Sequence, residues 1–130
     1  MWASGFKGGG IKIAILDTGV DSSHPMLLGR IAKQLAFTGE DHLSDVQGHG
    51  THVVGIAAGK KFGAQGYDGV APDASIYNAK VLDDGGFGQA SAVIAGINFP
   101  IHLNARYSPI PGLDYSFLYS KTLVFYTLKA

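Results

Sequence analysis

The run Ile11-Lys12-Ile13-Ala14-Ile15-Leu16 constrains this chain more than any other segment. It is short, apolar and rich in β-branched residues, with Gly8-Gly9-Gly10 before it and Asp17-Thr18-Gly19 after it. A run of this kind, bounded by turn residues, reads as a strand buried on both faces. Such a strand belongs inside a parallel sheet covered by helices.

The rest of the N-terminal part supplies the elements that such a sheet needs. Residues 31–37 form a second, weaker strand candidate, and residues 74–82 (ASIYNAKVL) alternate as a strand after the turn at Pro72-Asp73. His49 to Ala58 places Val53, Ile56 and Ala57 at helical spacing, with Gly59 as a stop. Ser91 to Asn98 reads as the start of a helix with Ser91 as its cap. Strand, helix, strand and helix in this order predict an α/β fold, a mainly parallel sheet in three layers. Reactive groups in such sheets gather at the carboxyl ends of the strands, where Asp17 stands.

From Phe99 the character changes. Three prolines come early, then an aromatic-rich apolar run without clear period. Asp114 and Lys121 interrupt that run, so no membrane span is expected. Residues 122–128 form a β-prone, low-charge segment of the kind that aggregates. The expected organisation is one domain part over residues 1–98 and a divergent tail over 99–130, the tail arising from a frameshift, a retained intron or a misassembled end.

Composition removes several function classes. Hydrophobic residues make up 46% of the 130, enough for a core. Lys plus Arg and Asp plus Glu number 10 each, which argues against nucleic acid as a partner. There is no cysteine, hence neither disulfide nor thiolate zinc site, and the redox compartment stays open. No run before Ile11 reads as a signal peptide. Neither oligomeric state nor destination follows from these features.

Asp17 and His49 are the residues that carry chemistry. Histidine can take a proton from a nucleophile and return it to a leaving group near neutral pH. A buried carboxylate fixes the ring's tautomer and steadies the imidazolium. With 32 positions between them (49 minus 17), a strand end and a helix start can meet across one crossover.

The text around the pair is specific. IAILDTGVDSSHP (13–25) resembles the aspartate motif of the subtilisin-like serine proteases, the subtilase family, and GHGTHVVGIAAG (48–59) resembles its histidine motif. GVAPDASIYNAKVLDDGGFGQASAVIAGIN (69–98) is similar to the family's next stretch, and WASGFKGGGIKIAIL to its approach to the aspartate. The resemblance covers residues 2–98 in family order and implies an incomplete subtilisin-like fold. It implies peptide-bond hydrolysis on a polypeptide substrate, with Asp17 orienting and His49 as general base. It also implies that Leu82, Gly86 and Gly88 line the cleft beside an extended peptide, with Ala90 and Val93 shaping a pocket further out. Members are commonly exported.

This sequence departs from the family pattern in three ways. No serine stands in the family's Gly-Thr-Ser-Met-Ala context: Ser91, Ser108, Ser116 and Ser120 all lack it. The asparagine that donates to the oxyanion is also without a match. Losing the serine costs about a millionfold in turnover, a magnitude that comes from subtilisin itself. The chain alone is therefore expected to be inactive. Calcium is the one cofactor the family suggests, but Met26 stands where many members have a ligating aspartate, and a thioether suits calcium poorly.

Five other readings compete. Asp17-Thr18-Gly19 is also the signature of a retroviral-type aspartic protease with two aspartates sharing a proton. His49 and His52 could hold a metal with Asp17 or Asp41, although the spacing is not that of zinc hydrolases. Asp83-Asp84 could take calcium, and Gly85-Gly86-Phe87-Gly88 could cradle phosphate, although it lacks the lysine of a P-loop. A pseudoenzyme that binds peptides without cutting them remains the non-catalytic alternative. His24, His42 and His102 are expected in turns or solvent.

Overall fold

The computed structural model describes residues 2–64, 66–104 and 122–126. A short 3-10 turn at Trp2–Ser4 precedes β1 (Lys12–Asp17), β2 (Ile31–Ala36), α1 (His49–Ala58), β3 (Ser75–Lys80), α2 (Ala90–Asn104) and β4 (Thr122–Tyr126). The strands form one sheet in the order β2-β3-β1-β4, and all three pairings are parallel. The first strand is thus internal. Its register places Ile13 opposite Ile76, Ile15 opposite Asn78 and Asp17 opposite Lys80.

Side chains alternate across a strand, so β1 and β3 each feed two cores. On one face Ile13, Ile15 and Ile76 pack with Val54 and Ala58 of α1, together with Val20, Leu27 and Ala74. On the other, Ala14, Leu16, Tyr77 and Ala79 pack with Ala92 of α2, Val81 and Leu82. Helix, sheet and helix make the expected three-layer α/β arrangement. β2 contributes little to either core: its four central residues are exposed. That pattern explains why its sequence signal is weak.

α1 coincides with the expected helix. Its last carbonyls are met by neighbours: Ile56 O and Ala57 O accept the Val70 and Ala71 N–H groups, and Arg30 donates to Ala58 O (3.3 Å). The helix after the third strand differs from expectation at its start. Gln89, not Ser91, starts it, because the Gln89 carbonyl accepts the Ala92 and Val93 N–H groups. The Ser91 hydroxyl turns back toward Gln89 Oε1 (3.5 Å). The helix also runs through Phe99 and Pro100 to Asn104. Phe99 packs edge-on against Phe37 with ring centroids 5.9 Å apart. The β-prone segment near the end contributes β4, which pairs with β1 from Thr122 to Tyr126. Ser108, Ser116 and Ser120 lie outside the described residues. No helix among those described is long and apolar enough to cross a membrane.

Candidate active site

β1 ends at Asp17 with its side chain wholly buried. A carboxylate in that position requires donors, since an unpaired buried charge is costly. Thr18 N–H donates to Oδ1 (2.7 Å), and the same oxygen lies 2.8 Å from His49 Nδ1. An ionised carboxylate only accepts, so Nδ1 carries the proton and Nε2 is left as the acceptor. The His49 side chain is 39% exposed. One ring nitrogen is therefore tied to the interior while the ring retains access to solvent.

The close approach of strand and helix needs glycine at position 50. A Cβ there would collide with Gly19 O and come within 3.2 Å of Asp17 Cβ. His49 occupies the first position of α1, after Gly48 in the left-handed region (φ 83°). The free N–H groups of this first turn are met from outside the helix: Gly50 donates to Thr18 Oγ1 (3.0 Å) and Thr51 to Asp45 Oδ2 (2.7 Å). Asp45 is only partly buried. Burial raises its pKa, but the bonds from Thr51, Thr18 and Gly48 outweigh this and hold it below the ordinary carboxylate value. A negative charge here also suits the positive end of the helix dipole.

Beneath the pair lies Lys80, a lysine with no exposed surface. Its Nζ donates to Thr18 O (2.7 Å) and Ser44 O (3.3 Å), and pairs with Asp84 (3.0 Å) and Glu40 (3.2 Å). The Asp17 carbonyl accepts N–H bonds from Val81 (2.9 Å) and Leu82 (3.1 Å), which fixes the start of the next loop against β1. Leu82 is buried there, Gly86 is half-buried in the turn from Asp83, and Gly88 is exposed. The Gln47 side chain donates to Gly85 O (3.3 Å) and lies directly against Gly86. Ala90 is exposed at the start of α2.

The competing readings fare poorly against this geometry. Asp17 bonds a histidine and has no exposed surface to share with a second aspartate. The three-residue cluster of potential metal donors among the described residues is Glu40, His42 and Asp84, without His49, His52, Asp17 or Asp41. Lys80 already occupies the Glu40 and Asp84 carboxylates. His42 is not simply solvated: it pairs with Asp84 (3.3 Å) and bonds Ser44 (2.8 Å). Asp83 and Asp84 are engaged separately, Asp83 Oδ1 accepting the Gly85 and Phe87 N–H groups within its own turn. Met26 presents a half-buried thioether, and its carbonyl accepts Lys60 N–H (2.9 Å), so the residue does not fit a calcium ligand.

The family model described as the subtilase family matches residues 8–108. This chain belongs to the subtilase family. It is 49% identical over 108 residues to the major intracellular serine protease of Bacillus subtilis (strain 168), covering 78% of this chain and 33% of that protein. It is 43% identical over 101 residues to thermitase of Thermoactinomyces vulgaris (77% and 36%), and 41% identical over 102 residues to subtilisin E of Bacillus subtilis (78% and 26%). The chain spans between about a quarter and about a third of the length of these relatives. Around the pair the structure adds three residues that sequence reasoning had not singled out, Asp45, Gln47 and Lys80, and gives bonds to Thr18, which had been read only as part of Asp17-Thr18-Gly19. The one available signal was Asp45, a carboxylate three residues before the glycine that opens a helix.

Proposed function

We propose that this chain supplies the proton-handling half of a serine endopeptidase site acting on polypeptides. The observation that carries the reading is the buried Asp17 carboxylate 2.8 Å from His49 Nδ1. In this mechanism His49 Nε2 takes the proton of a serine hydroxyl as it attacks the peptide carbonyl, then gives it to the leaving amine. Asp17 holds the ring in the required tautomer and stabilises the imidazolium. Leu82, Gly86 and Gly88 line the path of an extended substrate, where a glycine-rich edge lets another backbone approach. By itself the chain is catalytically silent, because none of its serines stands in the family's nucleophile context.

Two experiments test this. The purified chain, treated with a fluorophosphonate probe, is expected to show no labelled serine; labelling would overturn its silence. A chimera in which residues 8–98 replace the matching part of the intracellular serine protease is expected to hydrolyse a peptide amide. His49→Ala should lower its kcat by about a millionfold, a magnitude known from subtilisin itself, and Asp17→Asn by about ten-thousandfold, as in the chymotrypsin-type triad. A chimera that keeps its turnover without His49 would refute the assignment, and one that binds peptides without turnover would favour the pseudoenzyme.

A further inference from the structure

Asp45 is saturated by donors from two separate elements. Its Oδ1 accepts the Thr18 hydroxyl (2.7 Å) and Gly48 N–H (2.9 Å), and its Oδ2 accepts Thr51 N–H (2.7 Å) and the Thr51 hydroxyl (2.6 Å). Thr18 follows Asp17 and donates its N–H to the Asp17 oxygen that faces His49. Gly48 and Thr51 bracket His49 on α1. Thr18 Oγ1 in turn accepts Gly50 N–H (3.0 Å), and Thr51 Oγ1 accepts Asp21 N–H (2.9 Å).

Those last two bonds also cross between the β1 end and α1, but both run through hydroxyls that Asp45 itself holds, and the remaining braces hold one partner or the other. Lys80 and the Val81 and Leu82 N–H groups fasten the end of β1 to β3 and the loop after it, and do not reach α1. Val54 and Ala58 anchor the body of α1 in the core, more than a turn beyond His49. The Asp45 carboxylate is the bond acceptor common to the residue after Asp17 and to both sides of His49. We propose that Asp45 is a positioning residue that sets the contact between Asp17 and His49 by tying the end of β1 to the first turn of α1. The inference rests on the reading of that pair as a proton-handling couple.

Proton NMR of the full chain tests it directly. The His49 Nδ1 proton, held by a buried carboxylate, should give a slowly exchanging far-downfield line, and its absence from the wild-type chain would overturn the inference. In Asp45→Asn the new NH2 group must face either Gly48 N–H or Thr51 N–H, donor against donor. The line is expected to broaden beyond detection while the methyl signals of Val54 and Ile76 keep their shifts. An unchanged line with an intact core would overturn the proposal. If Asp45→Asn loses its core signals, Thr18→Val and Thr51→Val decide, each removing one hydroxyl at nearly constant shape. Both should shift or broaden the line, and no change in either would be equally fatal. In the chimera, Asp45→Asn should lower kcat by about a hundredfold with KM nearly constant. Equal loss of kcat and of folded enzyme would instead mean a purely structural role. A wild-type chimera without turnover would remove the functional reading and leave the NMR result standing.

Discussion

Three buried polar side chains meet opposite circumstances in this sheet. Asp17 and Lys80 face each other across β1 and β3, and each has partners. Asn78, one alternation before Lys80, has neither its side-chain nitrogen nor its oxygen hydrogen-bonded among the described residues. An amide left so costs about 1–3 kcal/mol. Asn78→Val should therefore raise the urea midpoint of unfolding, and a lower midpoint would show that the amide has a partner after all. Lys80→Met is expected to do the reverse, because it leaves Thr18 O and Ser44 O without their donor and Glu40 and Asp84 without their common cation. Asp17 and His49 were legible in the sequence because each sits in a motif several residues long. Lys80 and Asp45 were not, because what ties each of them to the residue after Asp17 is a contact 62 or 27 positions away, which a lone Lys in an alternating strand or a lone Asp in a loop does not announce.

At the scale of elements, the start of α1 concentrates the constraints. Gly50→Ala would drive a methyl group into Gly19 O, so it should cost about 1–3 kcal/mol and displace His49 from Asp17. A chemical denaturation curve together with the His49 NMR line would read both effects. The charge at this helix start also sets an acid limit. Because the folded-state pKa of Asp45 is depressed, its stabilising contribution is present above the unfolded value and disappears as pH falls through the folded one. The stability difference between the wild-type chain and Asp45→Asn should therefore shrink below about pH 4. A constant difference down to pH 2 would exclude the carboxylate as its source. The apolar runs and glycine stops were enough to place β1, β2, α1 and β3 within a residue or two. They failed at the start of α2, where Ser91 resembled a cap, and gave no end for a helix that runs through Pro100. The Gln89 carbonyl opens the helix instead, and the helix continues past the proline.

For the molecule as a whole, alternating elements indicated a parallel three-layer sheet, but not the order of its strands. That order depends on which edges the later strands find, and nothing local in Ile31–Ala36 or Thr122–Tyr126 encodes it. β4 covers one edge of β1 and β3 the other. Removing β4, for instance by ending the chain at residue 121, should leave the β1 edge open to a second molecule. Sedimentation velocity is expected to show self-association of the shortened chain, and an unchanged monomer fraction would mean that β4 protects nothing.

The internal position of β1 also has a consequence in time. Ile13, Ile15 and Leu16 leave the ribosome long before β3, whose last residue is Lys80, 63 positions after Asp17 (80 minus 17). At bacterial and eukaryotic synthesis rates that interval is roughly 3 to 13 seconds. For that period the most apolar strand of the nascent chain has no neighbour to pair with, which makes it the segment that a chaperone would hold.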